Sequence, residues 1–550
     1  MKRNTMTPVQ DYLQSKFLAR LVVAVCFAFL AFYHLSDYPT TWFDEGVHLH
    51  VPQTLVRYGE YADRSSDGFR YFGPTLGVGP TVMLPIAGAY KLFGIGLLQA
   101  RVVMALYLLA ALYLFYRLAR SLDGPMLAAA ALVLLVSSPA VALLETGRQV
   151  LGEVPGLFFL LAGFIVWFSA WDRSWGRLTL AGLLFGAAAV TKYQNLIILV
   201  PTIALAACAN LVYYRTARLR VFLWPGIVLG AIFGIWQVIL VVYLGPQTSA
   251  ENFAALREAT AGAAAVFSPD AMRRAARELL SFRSYGSALA LALPYGVFCA
   301  LPRSRSGQRW GILLFLVVVN LTWYALASIG WPRYAFTGLA FASLFVAKFF
   351  VDLLQRLSVT PGDAPPDIAQ AKVTTLGLRA AVAAWGVFVV TSSLAASMRP
   401  ILLPPENSPA AMSAFLDRHV PREAVIETWE PELGALTTHN YHYPPARLLN
   451  VAVRHIWLGG PGPGLQYRPL ETDQPPYVVV GGFGRWVGVY PTKLLENEYS
   501  LEARIGGYEL YRRIDLGAEL SPTPSQDGAR ARLVGPGAVQ SSVDDHSRVQ

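Results

Sequence analysis

The chain has 550 residues, of which 54% are hydrophobic and 15% charged, with a mean hydropathy of +0.42. That composition excludes a soluble protein of this size and leaves many stretches long enough to cross a bilayer. The formal net charge of +10 does not indicate nucleic acid, because no soluble segment carries a basic stripe interleaved with aromatics.

Residues 1–16 open with Met1-Lys2-Arg3 and precede an apolar run from Phe17 to Leu35. The run lacks a small-residue cleavage site before Asp37, so it reads as an uncleaved first span with a cytoplasmic N-terminus. The carboxylates Asp44 and Glu45 then fall in a first outer loop, residues 36–96. Two readings are open for them. Acids favour the first turn of a helix; equally, desolvation and a neighbouring negative charge raise a carboxyl pKa and make a usable base. His48-Leu49-His50 is not a metal signature, since alternate residues of a helix point to different faces.

Val78 to Gly94 is apolar but broken by Pro85 and Gly88, and Pro80 to Phe93 reads as a helix lying in the outer interface. Ten further spans follow, at 97–116, 125–143, 152–171, 178–192, 196–214, 221–244, 285–301, 310–329, 334–354 and 379–397. With the interfacial helix not counted, Arg117/Arg120, Arg173/Arg177, Arg215/Arg218/Arg220, Arg303/Arg305/Arg309 and Arg356 all face the cytoplasm, as the positive-inside rule requires. Cys26, Cys208 and Cys299 fall within spans and read as small core residues, with neither metal-ligand nor disulfide spacing.

Residues 358–373 read as a polar cytoplasmic linker. After the last span the composition turns polar, and 398–515 reads as a small outer α/β domain. Ser408-Pro409 starts a helix to His419, and Ala424–Thr428, Tyr477–Val480 and Gly507–Ile514 read as strands. His439 and His442 read as solvated loop residues. The tail, 516–550, has a disordered composition. No short-period repeat is present.

On this topology Asp44, Glu45, His48, His50, Arg70, Arg101, Glu145, Arg148, Glu153, Lys192, Asn195 and Arg333 all lie at or just below the outer surface. Ionisable groups near a bilayer collect around polar cavities, so one depth suggests one shared site. Plainer readings stand beside this one. Arg101, Arg333 and Lys192 serve equally as snorkelling anchors, and Glu145/Arg148 and Arg148/Glu153 have near-helical spacing for simple ion pairs.

The ordered motifs are an outer Asp44-Glu45, a helix ending Lys91-Leu92-Phe93-Gly94, Arg101 opening a span, and Arg148 and Glu153 around an outer turn. Gly182 to Gly186 leading to Thr191-Lys192-Tyr193 and then Pro332-Arg333-Tyr334 complete the series. Over residues 15–350 the chain resembles the GT-C superfamily of membrane glycosyltransferases, in the branch of the protein O-mannosyltransferases and the lipid A aminoarabinose transferase. The resemblance implies a polytopic α-helical fold of about 11 spans, with a catalytic membrane domain at 17–397.

It further implies sugar transfer from a polyprenyl-phosphate donor to a protein, lipid or polysaccharide acceptor at the outer face of an inner membrane. Asp44, with Glu45 beside it, matches the acceptor-activating position; Lys192, Arg333 and Arg101 are candidates for the donor phosphate; Arg148, Glu153 and His48 are acceptor-side or supporting residues. A single displacement would invert the anomeric centre. The family often has Asp at Glu153 and a His-Pro-Pro type sequence at Phe72-Gly73-Pro74-Thr75. No cofactor is certain: metal dependence varies across the superfamily, and a divalent metal is compatible with the resemblance but not legible here, because no trustworthy ligand set is present. The competing class is a lipid or solute transporter, which calls for polar groups near the bilayer centre and inverted repeats, and neither is evident. A third is an anchored binding protein, which hardly needs eleven spans.

Overall fold

The computed structural model describes residues 21–71, 77–171, 174–357 and 369–514. The N-terminal segment 1–16, Phe72-Gly73-Pro74-Thr75 and the tail 516–550 lie outside the described residues, as does 358–368 of the expected linker.

Over the described residues every expected span falls on helix. The first is α1 (Leu21–Phe32). Helix α2 (Phe43–Tyr58) carries the carboxylate pair and ends at Gly59, whose φ of +80° needs glycine. A two-stranded hairpin of β1 (Asp63–Ser65) and β2 (Gly68–Arg70) follows. The helix expected at the interface is α3 (Pro80–Phe93), whose Val82, Met83, Ile86 and Tyr90 are buried while Leu84, Leu92 and Phe93 stay exposed. At 14 residues it rises only about 21 Å, too short to span.

The bundle consists of α4 (Leu97–Ser137), α5 (Glu153–Ser169), α6 (Trp175–Thr191), α7 (Gln194–Ala209), α8 (Arg220–Ala259), α9 (Pro269–Leu280), α10 (Leu289–Ala300), α11 (Arg305–Ala327), α12 (Phe336–Arg356) and α13 (Ala369–Leu402). Two expected spans are joined in α4, which breaks at Asp123-Gly124, where Gly124 adopts φ +80° before Pro125. Helix α8 runs past the expected end of its span through a second break at Gly245. Gly182 and Gly186 bring α6 against α8, where a Cβ would lie 2.5 Å from Val228 and 2.7 Å from Ile232. The core is aromatic: the Phe164 ring meets Phe185 at 5.1 Å and Phe341 at 5.5 Å. Cys26 and Cys208 are exposed on their helices rather than packed in the core, because the lipid-facing side of a span is as apolar as its interior.

Beyond α13 stand α14 (Ser408–His419), β3 (Val425–Thr428), α15 (Pro431–Leu436), β4 (Asn440–His442), α16 (Leu448–Leu458), β5 (Tyr477–Val480), α17 (Gly482–Val487), β6 (Tyr499–Ile505) and β7 (Tyr508–Arg513). The sheet order is β4-β3-β5-β7-β6, parallel across the first three and antiparallel across the last three. Strands β4 and β6 were not anticipated. His442 is accordingly no loop residue: it lies on β4, half-buried, with Nδ1 on the carboxylate of Glu427. His439 is buried too, at 8% exposure.

This sheet-containing unit is seated on α2 and the hairpin that follows it. Phe43 stacks on Phe483 with centroids 3.8 Å apart, and His50 Nε2 lies 2.8 Å from the carbonyl of Pro431. Gln53 donates to the Ala435 carbonyl at 2.9 Å, and the Ser66 amide to the Tyr441 carbonyl at 2.7 Å.

Candidate active site

Adjacent helical residues point about 100° apart, so Asp44 and Glu45 cannot share an environment. Glu45 turns inward and is wholly buried. Its Oε1 accepts from Arg101 Nε at 2.9 Å and from the Val150 amide at 3.2 Å, and its Oε2 accepts from Arg101 Nη2 at 2.6 Å. Arg101 spends its other donors on the Leu35 carbonyl at 2.9 Å and Thr41 Oγ1 at 3.3 Å. This bidentate pair ties α2 to α4 and leaves neither member facing an open space.

Asp44 turns the other way and accepts from Arg333 Nη1. Arg333 sits in the 3₁₀ turn Pro332–Ala335 that leads into α12. Its Nε and Nη2 donate to Glu153 Oε1 at 3.0 and 2.8 Å. That same oxygen accepts from Lys192 Nζ, while Glu153 Oε2 is buried without a partner. Two carboxylates and two cations thus form one chain, Asp44–Arg333–Glu153–Lys192. Glu153 is 3% exposed, but Asp44, Arg333 and Lys192 are 23%, 18% and 14% exposed, so the chain is buried on its Glu153 side and open elsewhere.

Local structure explains each placement. Glu153 begins α5, where the helix dipole favours an acid. Lys192 ends α6 and is strapped to α3: Val78 bridges Lys192, the Gly79 amide donates to the Thr191 carbonyl at 3.1 Å, and the Thr81 and Thr191 hydroxyls bond at 2.7 Å. Only glycine fits at 79, since a Cβ there would lie 1.9 Å from the Val190 carbonyl oxygen. The Arg333 guanidinium is held over two indoles, 5.4 Å from Trp42 and 4.8 Å from Trp331.

His48, one turn after Asp44 on the same face of α2, has Nδ1 2.8 Å from the Val150 carbonyl. Burial pushes its pKa down, which favours the neutral imidazole with the proton on Nδ1.

Of the three cations expected at the donor phosphate, the structure brings Arg333 and Lys192 together and holds Arg101 apart. Arg148 is also apart: it is completely buried and donates to the carbonyls of Leu30, Tyr33 and Tyr38, fixing the turn after α1. It pairs with neither Glu145 nor Glu153, because the backbone oxygens of that turn reach it first. Arg70 and His50 share the buried Asp63 on the hairpin, and Asn195 Nδ2 donates to the Ala188 carbonyl at 2.9 Å. Trp42 and Trp331 escaped the sequence reading, since nothing in a sequence says that a tryptophan will cover an arginine. Among the described residues no group of three or more His, Cys, Asp or Glu side chains is arranged to hold a metal.

A family model for dolichyl-phosphate-mannose-protein mannosyltransferases matches residues 78–242, which contain Glu153 and Lys192. The fold is similar to ArnT from Cupriavidus metallidurans in the apo state, with a TM-score of 0.62 at 13% identity, covering 93% of this chain and 100% of that one. The same protein bound to undecaprenyl phosphate aligns with a TM-score of 0.60 at 13% identity, over 90% and 98% of the two chains. The oligosaccharyltransferase AglB from Archaeoglobus fulgidus, in complex with an inhibitory peptide and a dolichol-phosphate, gives 0.56 at 12% identity, over 93% of this chain and 75% of that one. No curated protein sequence matches. Residues 78–242 thus resemble the dolichyl-phosphate-mannose-protein mannosyltransferases, and the chain shares its multi-pass helical fold with ArnT and AglB.

Proposed function

We propose that this protein transfers a sugar from a polyprenyl-phosphate donor to an acceptor at the outer face of an inner membrane, with Asp44 as base and Arg333 and Lys192 as the phosphate-binding cations. The single observation that carries the reading is the Asp44–Arg333–Glu153–Lys192 chain at one end of the bundle. Its two cations are gathered on one oxygen of Glu153 and remain partly open. The solved relatives bound to undecaprenyl phosphate and to dolichol-phosphate support a lipid-linked donor.

In this reading the acceptor hydroxyl attacks the anomeric carbon and its proton passes to the Asp44 carboxylate. The new glycosidic bond forms as the bond to the donor phosphate oxygen breaks, with inversion, and polyprenyl phosphate leaves. Arg333 and Lys192 stabilise the charge that develops on it. Arg333 donates to Asp44. A phosphate arriving at Arg333 competes with that contact and frees Asp44 to act as base, so donor binding arms the acceptor side. Glu153 holds both cations in place, and Glu45 and Arg101 anchor the helix that bears Asp44. The topology that goes with this has a cytoplasmic N-terminus and the sheet-containing C-terminal region, 398–515, on the outer side.

The test is sugar transfer, or hydrolytic release, from a panel of polyprenyl-phosphate sugars by the purified protein, with Asp44→Asn in parallel. Turnover is expected with at least one donor, falling by about 10²–10⁴-fold in the variant, the range of a general base. Undiminished turnover in Asp44→Asn would remove Asp44 from the chemistry.

A further inference from the structure

A row of four tryptophans leads away from the Asp44–Lys192 chain, and the transfer step does not use it. Trp42 is the residue before α2, two positions from Asp44, and Trp331 precedes the turn that carries Arg333. Their rings meet edge to face with centroids 6.4 Å apart, and the Arg333 guanidinium lies over both. Trp331 lies 6.0 Å from Trp457 near the end of α16, and Trp457 lies 6.3 Å from Trp486 on α17. The row therefore crosses from the membrane bundle onto the sheet-containing region, in steps comparable to the width of one sugar ring.

Packing alone does not account for it. Three of the indoles are half-buried and Trp486 is 52% exposed, although a plain seam between two units would cover such large apolar faces. The indole N–H groups of Trp42 and Trp331 are buried with no acceptor among the described residues, and so is Nε of Arg274, whose guanidinium lies 5.5 Å over Trp457. Buried donors of this kind ordinarily have partners. Flat apolar faces bordered by N–H donors that lack acceptors suit a saccharide, which presents C–H groups on the faces of its rings and hydroxyl oxygens around their edges. An acyl chain covers the faces and leaves the donors unpaired. A polypeptide has no flat apolar face that repeats at this spacing.

We infer that the row binds the sugar rings of the acceptor, and hence that the acceptor is a glycan of several sugars. The inference rests on the transfer reading above and supplies its acceptor. Successive rings stack along Trp486, Trp457 and Trp331, and the terminal sugar reaches Trp42, beside Asp44. The hydroxyl whose proton passes to Asp44 is then a sugar hydroxyl.

The test is binding of soluble hexasaccharides (α- and β-linked glucans, mannans and N-acetylglucosamine oligomers) to the purified full-length protein by isothermal titration calorimetry, beside their disaccharides and a serine- and threonine-rich octapeptide. Hydrolytic release of sugar from the donor panel is measured on the same wild-type preparation. Saturable binding of at least one hexasaccharide is expected, about tenfold tighter than its disaccharide and about tenfold weaker in Trp486→Ala. Trp486→Phe, which keeps a flat ring, should restore most of the binding. The control Trp175→Ala, which removes an equally exposed tryptophan at the start of α6, should bind like the wild type. Should Trp486→Ala fail to fold, Trp486→Leu decides, since it keeps bulk and loses the flat face: about a tenfold loss supports the site and none overturns it. Equal binding by the wild type and Trp486→Ala, binding of the peptide in place of the saccharides, or no binding of any hexasaccharide overturns the inference. Failure of the transfer reading shows separately: wild-type protein that binds a hexasaccharide through Trp486 yet releases sugar from no donor keeps the saccharide site and loses its role as the acceptor site.

Discussion

Glu45 and Asp44 show how one residue of displacement on a helix sends two neighbouring carboxylates to different surroundings. Arg101→Met should leave Glu45 buried and charged with no cation, a loss of about 3–5 kcal/mol for a broken buried pair. The expected outcome is a clear fall in thermal midpoint, with an unchanged KM for donor in whatever protein remains folded. A raised donor KM at full stability would return Arg101 to the phosphate site. Glu153→Gln acts differently, because Arg333 and Lys192 then lack the negative charge they share and repel each other. It should raise the donor KM and lower kcat together, measured on the same transfer assay, since cations held out of position bind both the ground state and the leaving phosphate less well. Asp44, Glu45, Lys192 and Arg333 were all visible as ionisable groups at one depth. Which of them meet was not, because the contact of Arg333 with Asp44 spans 289 residues of chain.

At the scale of elements, α2 is held from both sides. Arg101 grips it from the bundle, and α15 lies so close beyond that a Cβ on Gly46 would come within 2.3 Å of the Glu432 backbone nitrogen. Gly46→Ala should therefore tilt α2 and lower kcat by an order of magnitude or more with Asp44 chemically intact, since small misplacements of a catalytic group are costly. Unchanged transfer in a folded Gly46→Ala protein would show that α2 tolerates the shift. Helix lengths and the boundaries of α3, α14 and β5 were readable from periodicity, proline placement and capping residues, because those signals are local. The joined α4 was read as two spans with the right turn between them, the Gly124-Pro125 pair marking the break. Strand β4 was missed because three residues, Asn440-Tyr441-His442, have no period to read; only pairing with β3 makes them a strand.

Across the whole molecule, the sheet-containing region and the membrane bundle share a titrating junction. Glu430 and Glu432 are both buried there, Glu430 accepting the amides of Gly481, Gly484 and Phe483, and Glu432 the Tyr508 hydroxyl. Burial, and for Glu430 the neighbouring Glu432 charge, raise both carboxyls above the ordinary range. The folded state then binds more protons than the unfolded chain. The stabilisation is complete below the ordinary carboxyl pKa and is lost as pH rises through the raised values. Thermal midpoints of this region should therefore fall as pH increases above the carboxylate range, and Glu430→Gln should flatten that fall; a midpoint rising with pH would contradict the assignment. Removing everything after Ser397 should abolish transfer rather than merely relax acceptor choice, because α2 would lose the surface against which Phe43, Gly46 and His50 pack. The sequence by itself determined that the chain is a membrane protein and where its helices run, since hydrophobicity, helix period and loop charge act locally and add along the chain. Only the tertiary structure decided that Arg333, rather than Arg101, faces Asp44 and that the C-terminal sheet region packs on the helix that bears Asp44. Those are choices among partners hundreds of residues apart, set by packing and burial and by no local signal.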